Sequence, residues 1–302
     1  IVEIKKNGIQ NFRGTNNSIG TSFTDNLVCD IRKELNWKGR LLSKIFSLPL
    51  INKIFDLQLK QTKNYLQEYL KAISIIYRSN ENVQKLVRKY KFENTVNFGC
   101  EKKFNSKDNK ETSIVYIDMA HRIDVLSSQF DFTKIKSFFE IGGGFGANIH
   151  FLITNFPNIN KIIYLDIAPN IYLGTEYLRY HYKDAVKDYL TTKKLDKISF
   201  SRKDELEIFC IPPWEIEKLE IEVDHFHNAA SFVEMTNETI ENYAKFIKKF
   251  KTKGISLISY DRFSNKTINP ENLNSFFDNK LNIQRHSQII DDYNQKLIYL
   301  YK

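Results

Sequence analysis

The sequence predicts an α/β chain: a mostly parallel sheet with helices on both faces, closed by an antiparallel hairpin, behind a helical N-terminal region. Three observations lead there. From residue 137 onward, short apolar segments alternate with helical patterns, which favours a parallel sheet. The stretch FFEIGGGFGANIHFL (138–152) interrupts an apolar run with Gly142, Gly143, Gly144 and Gly146, then resumes as a helix-like pattern. Finally, NIQRHSQII (282–290) and KLIYLYK (296–302) face each other across a polar turn, as hairpin strands do.

The elements follow in order. Residues 1–24 are rich in Asn, Gly, Ser and Thr and read as an irregular lead-in. From about 27 to 90 the apolar period is helical, clearest at Tyr65, Leu66, Tyr69, Leu70, Ile73, Ile76 and Tyr77. Ser79–Asn82 supplies capping residues for a helix carrying Val83, Leu86, Val87 and Tyr90. Residues 99–112, GCEKKFNSKDNKET, are polar without period and are expected to form an exposed loop. A helix is expected over Ile114–Phe130. The division that results is a helical cap over 1–113 and an α/β domain over 114–302. In the second part, strands are predicted at 137–141, 161–166, about 208–211, 220–226 and 254–261. Helices are predicted over Ala147–Asn155, over Asn170–Leu190, and after Thr236 with Ile240, Tyr243, Ala244, Ile247 and Phe250 on one side.

Composition narrows the class. Of 302 residues, 42% are hydrophobic and 27% charged, the proportions of a soluble globular protein. The net charge of +9 favours an anionic partner: nucleic acid, a nucleotide-linked sugar or an anionic membrane. The lysines are scattered, however. The densest group, Lys248, Lys249, Lys251 and Lys253, suits the negative end of a helix dipole and reads as solvated surface, so no specific nucleic-acid partner is expected. Cys29, Cys100 and Cys210 are far apart and odd in number, which points to a reducing, cytoplasmic setting. No signal-peptide pattern is visible. The most apolar segment, Leu41–Leu59, is broken by Lys44, Pro49, Asn52, Lys53 and Asp56. It reads as packed helices rather than a membrane span, with an interfacial helix and peripheral membrane contact as the alternative.

The glycine turn invites a nucleotide. A phosphate-binding P-loop needs Lys-Ser/Thr after the glycines, and none follows. A dinucleotide turn is nearer the mark, because Gly142, Gly144 and Ala147 satisfy G-x-G-x-x-A and Asp166 stands at a ribose-binding distance along the chain. Three features favour S-adenosylmethionine (SAM; product S-adenosylhomocysteine, SAH) instead. Glu140, just before the glycines, would welcome a cationic ammonium and repel a pyrophosphate. The chain closes in a hairpin rather than further parallel units. The turn also comes late, behind a helical cap. On this reading Glu140, Gly142, Gly144 and Gly146 meet the amino-acid and ribose parts of the cofactor. Asp166 takes the ribose hydroxyls, and Ile167 with the loop near Ile211 sandwiches the adenine.

A second stretch, VDHFHNAASFVEM (223–235), ends the strand predicted there. FFEIGGGFG, then YLDIAP with EYL shortly after, then HNAASFVEM and Tyr243 in the next helix, resemble the sugar O-methyltransferase family over roughly residues 115–302. The N-x-x-S-x-x-E-M pattern is matched by Asn228, Ser231, Glu234 and Met235. The resemblance implies a Rossmann-like class I methyltransferase sheet and SAM-dependent methylation of a sugar hydroxyl in glycan or glycosylated-metabolite biosynthesis. The acceptor would be a sugar, a nucleotide-sugar or a glycan. Asn228 would join the cofactor contacts and Ser231 those of the acceptor. A hydroxyl is a poor nucleophile until its proton begins to leave, so a base is needed. Glu234, His227 and His225 are the candidates. His121 and Arg122, in DMAHR, are candidates to reach the acceptor, Arg122 through a phosphate or carboxylate. Asp261 is placed with the acceptor contacts. It could join Asp224 or Glu234 on a divalent ion, but no spacing demands a metal and none is predicted. The alternatives are a methyltransferase of a non-sugar small molecule or of nucleic acid, and an NAD-dependent enzyme.

Overall fold

The computed structural model describes residues 79–92, 103–105, 111–260, 270–278, 280–287 and 294–301. The helices expected before residue 79, and Asp261, lie outside the described residues. The rest belongs to two units, one holding residues 79–84, 103–105 and 111–114, the other 85–92 and the described residues from 115 on. In the first unit, Asn80 Oδ1 accepts from the backbone N–H groups of Asn82 (2.9 Å) and Val83 (3.2 Å), capping helix α1 (Glu81–Lys89) as its sequence predicts. The stretch expected to be only a loop holds a small antiparallel ribbon, Lys103–Asn105 against Glu111–Ser113. Its strands are three residues long and polar, too short to show a period.

The second unit is built on one eight-stranded sheet. Its strands are β1 (Ser137–Ile141), β2 (Lys161–Leu165), β3 (Val186–Lys187), β4 (Glu207–Ile211), β5 (His225–Ala229), β6 (Gly254–Tyr260), β7 (Asn282–Ser287) and β8 (Asn294–Tyr301). Their order is β3-β4-β2-β1-β5-β6-β8-β7, and only β8 runs against its neighbours. This is the mostly parallel α/β sheet with a terminal antiparallel hairpin that the sequence predicts. The chain starts at the centre with β1, builds outward through β2, then crosses back to β5. Open α/β sheets place their ligand crevice at such a switch, beyond the carboxyl ends of the strands.

Alternation along the strands gives the sheet two unlike faces. One is apolar: Phe139, Ile141, Ile163, Leu165, Phe209, Ile211, Phe226, Ile255 and Leu257 form a continuous core. Helix α5 (Asn237–Lys249) covers it with Ile240, Tyr243, Ala244 and Ile247, and α6 (Pro270–Phe276) adds Leu273. Each fully buried Phe or Ile there contributes about 1.5–3 kcal/mol over leaving it in water. The other face is met by α3 (Ala147–Asn155) and α4 (Asn170–Tyr182), through Asn148 on Glu140 and Gly174 against Tyr164. Helix α2 (Ile114–Leu126) stops four residues short of the expected end.

Two other expectations need correction. The helix predicted to Leu190 ends at Tyr182, and Val186–Lys187 then pairs at the sheet edge. The strand predicted at 220–226 is instead His225–Ala229, in register with β1 through Phe138↔His225 and Glu140↔His227. Residues 220–223 are irregular, tied by Glu220 N–H to Ile198 and Val223 N–H to Phe250. The apolar-looking EIEV drew the prediction, while HFHNA looked too polar for a central strand. The late lysines sit in ion pairs: Lys248 with Asp278, Lys251 with Glu222, Lys253 with Asp224. Among the described residues no helix is long and apolar enough to cross a membrane.

Candidate functional site

Three loops converge at the carboxyl ends of β1, β2 and β5. The first is the glycine turn. Gly142, Gly144 and Gly146 all have positive φ (76°, 60° and 84°), which other residues enter only with strain. Space distinguishes them. A Cβ on Gly142 would lie 2.2 Å from Ser231 Oγ, so this glycine makes room for a protein side chain. A Cβ on Gly144 would meet nothing within 4 Å, so this is where the turn opens. Gly146 begins α3 and faces Leu178 on α4. Beneath the turn lies Tyr164, buried, its one hydroxyl proton shared between the carbonyls of Gly144 (2.5 Å) and Asn170 (3.0 Å).

Glu140 is 2% exposed. Its Oε1 accepts from Asn148 Nδ2 at 2.8 Å, while Oε2 has no partner among the described residues. A Cβ on Gly143 would lie 2.8 Å from that oxygen, so the carboxylate sits directly against the turn. Burial pushes its pKa up to about 7, the Asn148 bond opposes this, the negative Asp166 adds to it, and Arg122 opposes it. Asp166, after β2, accepts from Gly144 N–H (2.8 Å) and Ile167 N–H (2.7 Å). Burial raises it to about 6 against those two bonds. These two N–H groups use one acceptor site on each oxygen, the Asn170 side chain is a further partner, and a carboxylate has about four such sites. Beside it Ile167 is 61% exposed. Ile211, by contrast, points its side chain into the apolar core, so only the backbone after β4 is left to line a site there. Trp214, in the next turn, is 67% exposed.

The third loop follows β5. Asn228 Nδ2 donates to the Ile141 carbonyl (2.8 Å) and Ser231 Oγ (2.5 Å), and its Oδ1 accepts from Phe232 N–H (3.1 Å). Asn228 and Ser231 therefore clamp this loop to the end of β1, and their polar atoms are engaged within the protein. Glu234 ends the short turn Ser231–Glu234 and is exposed, yet partial desolvation raises its pKa, and its charge is felt at Asp166.

His225 and His227 share one face of β5, but neither stands at its carboxyl end. His225 starts the strand and is wholly buried, stacked on Phe138 (ring centroids 5.5 Å) and edge-on to Phe130 (4.5 Å). His227 is 2% exposed. Ser256 Oγ lies 2.7 Å from His225 Nε2 and 2.8 Å from His227 Nδ1. Burial, and then the Arg122 charge, lower the His227 pKa to about 3, and burial takes His225 well below its ordinary value. Both are neutral at physiological pH. Asp224 lies before β5, bound to the N–H groups of Lys136 and Ser137 and to Lys253, at the opposite end of the strand from Glu234. The two cannot share an ion. Among the described residues no three His, Cys, Asp or Glu side chains cluster to hold a metal. His121 and Arg122 are half-buried on α2, with Arg122 within electrostatic reach of Glu140 and His227.

Sequence reasoning passed over Asn148, Tyr164 and Ser256. Their signal was a polar group inside an apolar strand or the first turn of an apolar helix. An open cavity of about 640 Å³ lies between Lys89, Tyr90, residues 127–133, Asn155 and Phe156, none of them a predicted site residue.

No family model matches the chain, and no curated protein matches it in sequence. Among solved structures it is similar to PigF with SAH (12% identity, TM-score 0.43), over 62% of this chain and 57% of that one. It is also similar to an O-methyltransferase family protein from Burkholderia thailandensis (10%, 0.42), over 60% and 55%. A third is a SAM-dependent methyltransferase from Aquifex aeolicus (12%, 0.39), over 58% and 87%. The similarity thus spans little more than half of the first two. At these scores it adds nothing to the topology described above, and fold alone does not fix function.

Proposed function

We propose that this chain is a SAM-dependent O-methyltransferase acting on a sugar hydroxyl, free, nucleotide-linked or lipid-linked, in glycan or glycosylated-metabolite synthesis. The observation that carries the cofactor is Glu140 Oε2, an acceptor buried against the glycine turn with no partner among the described residues. Leaving such a group unsatisfied is costly, and a ligand ammonium would satisfy it. A pyrophosphate there would meet a buried acid, which disfavours the dinucleotide reading. Asp166 keeps acceptor capacity for ribose hydroxyls, and Gly144 leaves the turn open beside it. Exposed Ile167 supplies an apolar flank for the base.

When bound, the cofactor supplies an activated methyl group on a cationic sulfur. The protein's part is to align the acceptor and remove its proton. Glu234 is the favoured base: accessible, beyond the carboxyl end of β5, with a pKa raised by partial desolvation. The sugar acceptor rests on the N-x-x-S-x-x-E-M resemblance.

Thermal unfolding with SAM, SAH, NAD or NADP tests the cofactor. A ligand at about 100 times its dissociation constant adds roughly 2.7 kcal/mol, and the midpoint should rise by about 5–10 °C with SAM and SAH only. A rise with NAD or NADP alone would overturn the proposal. With nucleotide-sugar acceptors, Glu234→Gln should lower kcat by about 10²–10⁴. Unchanged turnover would remove Glu234 as the base.

A further inference from the structure

The second face of the sheet carries a polar row. Tyr164, Glu140, His227 and Ser256 stand side by side on β2, β1, β5 and β6, in register across four adjacent strands. All four are buried. A polar layer in a parallel sheet is expensive to bury, so its hydrogen positions are constrained.

Those positions can be worked out. Ser256 Oγ bridges His225 Nε2 and His227 Nδ1, and a hydroxyl has one proton to give. His225 Nδ1 has no partner among the described residues, closed in by Phe130, Phe132, Phe138 and Gly254. A buried N–H without an acceptor is the rarer orphan, so the bare nitrogen belongs there and the His225 proton sits on Nε2. That proton is donated to Ser256 Oγ. Ser256 then donates to His227 Nδ1, which leaves the single His227 proton on Nε2. This second nitrogen points away from Ser256 Oγ, which Nδ1 faces. It is a donor. Beside it, on the next strand, Glu140 Oε2 is an acceptor, and the Arg122 charge reaches both.

We infer that His225 and Ser256 are positioning residues that lock His227 as an Nε2–H donor, and that Glu140, His227 and Arg122 together recognise a zwitterionic α-amino acid group. Glu140 takes the ammonium; His227 and Arg122 take the carboxylate. The inference rests on the proposed cofactor, whose amino-acid end is that group. It also removes His227 from the candidate bases, because its bare nitrogen is turned into the protein.

The test has two arms on the full chain. Nitrogen-15 NMR of histidine-labelled protein reads the tautomers directly, and the expected result is Nε2–H at both His225 and His227. A proton on His227 Nδ1, donated to Ser256 instead, would overturn the lock. Calorimetry then compares SAH with 5′-methylthioadenosine, which lacks the amino acid. His227→Gln, Arg122→Met and Ser256→Ala should each weaken SAH by about tenfold or more, leaving methylthioadenosine within about twofold. Ser256→Thr, which keeps the hydroxyl, should restore SAH binding and the tautomer. Equal losses for both ligands, or none for SAH, would overturn the inference while the cofactor stands. If the unaltered chain binds neither ligand, the cofactor reading itself fails, and the amino-acid assignment with it.

Discussion

The two faces of the sheet are made by the same strands, one residue apart. Phe139, Ile141, Ile163, Phe226 and Leu257 point one way into a dry core; Glu140, Tyr164, His227 and Ser256 point the other way. The first face is apolar except towards the strand ends, where buried Asn228 and Ser259 fall on it. The second breaks the packing rules most at one level: one step earlier stand apolar Phe138 and Ile162, with His225 beside them. Stability and chemistry are therefore separated by the period of two. The face that departs further from the packing rules is the one beneath the glycine turn, where a functional site is expected to be costly.

The largest effect should come from the apolar face. Phe226 is fully buried between Phe139 (centroids 5.4 Å) and Phe232 (6.0 Å). Phe226→Ala should cost about 3–5 kcal/mol in denaturant unfolding, through lost transfer energy and a cavity. Whatever fraction remains folded should bind SAH with ordinary affinity. A selective loss of binding would mean the faces are not separable.

Glu140→Gln should do the reverse. The folded-state pKa is about 7 against an ordinary value of 4.5, so the native state holds the proton more tightly than the unfolded chain. Its contribution to stability is full below about pH 4.5 and is lost as pH rises through 7. The neutral amide removes that loss. At pH 8 the ligand-free variant should be more stable by about 2–3 kcal/mol. SAH binding should meanwhile fall by about a hundredfold or more, since a buried ammonium would lose its counter-charge. In the unaltered chain, SAH affinity should drop as pH falls through about 7. Titration calorimetry from pH 5.5 to 8.5 checks the sign; a flat profile would show that the carboxylate is not the ammonium's partner.

Between these lies the clamp that joins the loop after β5 to β1. Asn228→Ala removes the closer of two side-chain donors to the Ile141 carbonyl, the other being Ser231 Oγ at 3.3 Å, and leaves the Phe232 N–H without its side-chain partner. It should cost about 1–3 kcal/mol and loosen the turn. If Asn228 also touches the cofactor, SAH binding will fall further than that of methylthioadenosine; equal losses mean that it only holds the loop.

How much of this was legible in the sequence follows from the same division. SFFEI and KIIYL read as strands because the apolar face and most of the other are aliphatic or aromatic. Glu140 and Asp166 stood out because acids rarely end buried strands. HFHNA did not read as a strand, since its polar groups are affordable only through partners far along the chain: Ser256 for the histidines, Ile141 and Phe232 for Asn228. Ser256 itself was invisible, a small residue in GISLISY whose role is set by what β5 places beside it. The opening at Gly144, against the crowding at Gly142, belongs to the packing of Ser231, and no spacing encodes it.

The smallest predicted effect is the sharpest comparison. Ile162 and Ile163 are neighbours on β2, both buried, pointing to opposite faces. Ile163 packs in the apolar core, while Ile162 sits one level below the polar row, in register with Phe138. Removing one methylene from either should cost about 0.5–1.5 kcal/mol. If the polar row is rigidly supported from below, Ile162→Val should also lower SAH affinity slightly, by about two- to threefold, while Ile163→Val leaves it unchanged. Equal stability losses with unequal binding losses would tie the layer under the row to its geometry. Equal losses in both would confine the site to the row itself and the three loops above it.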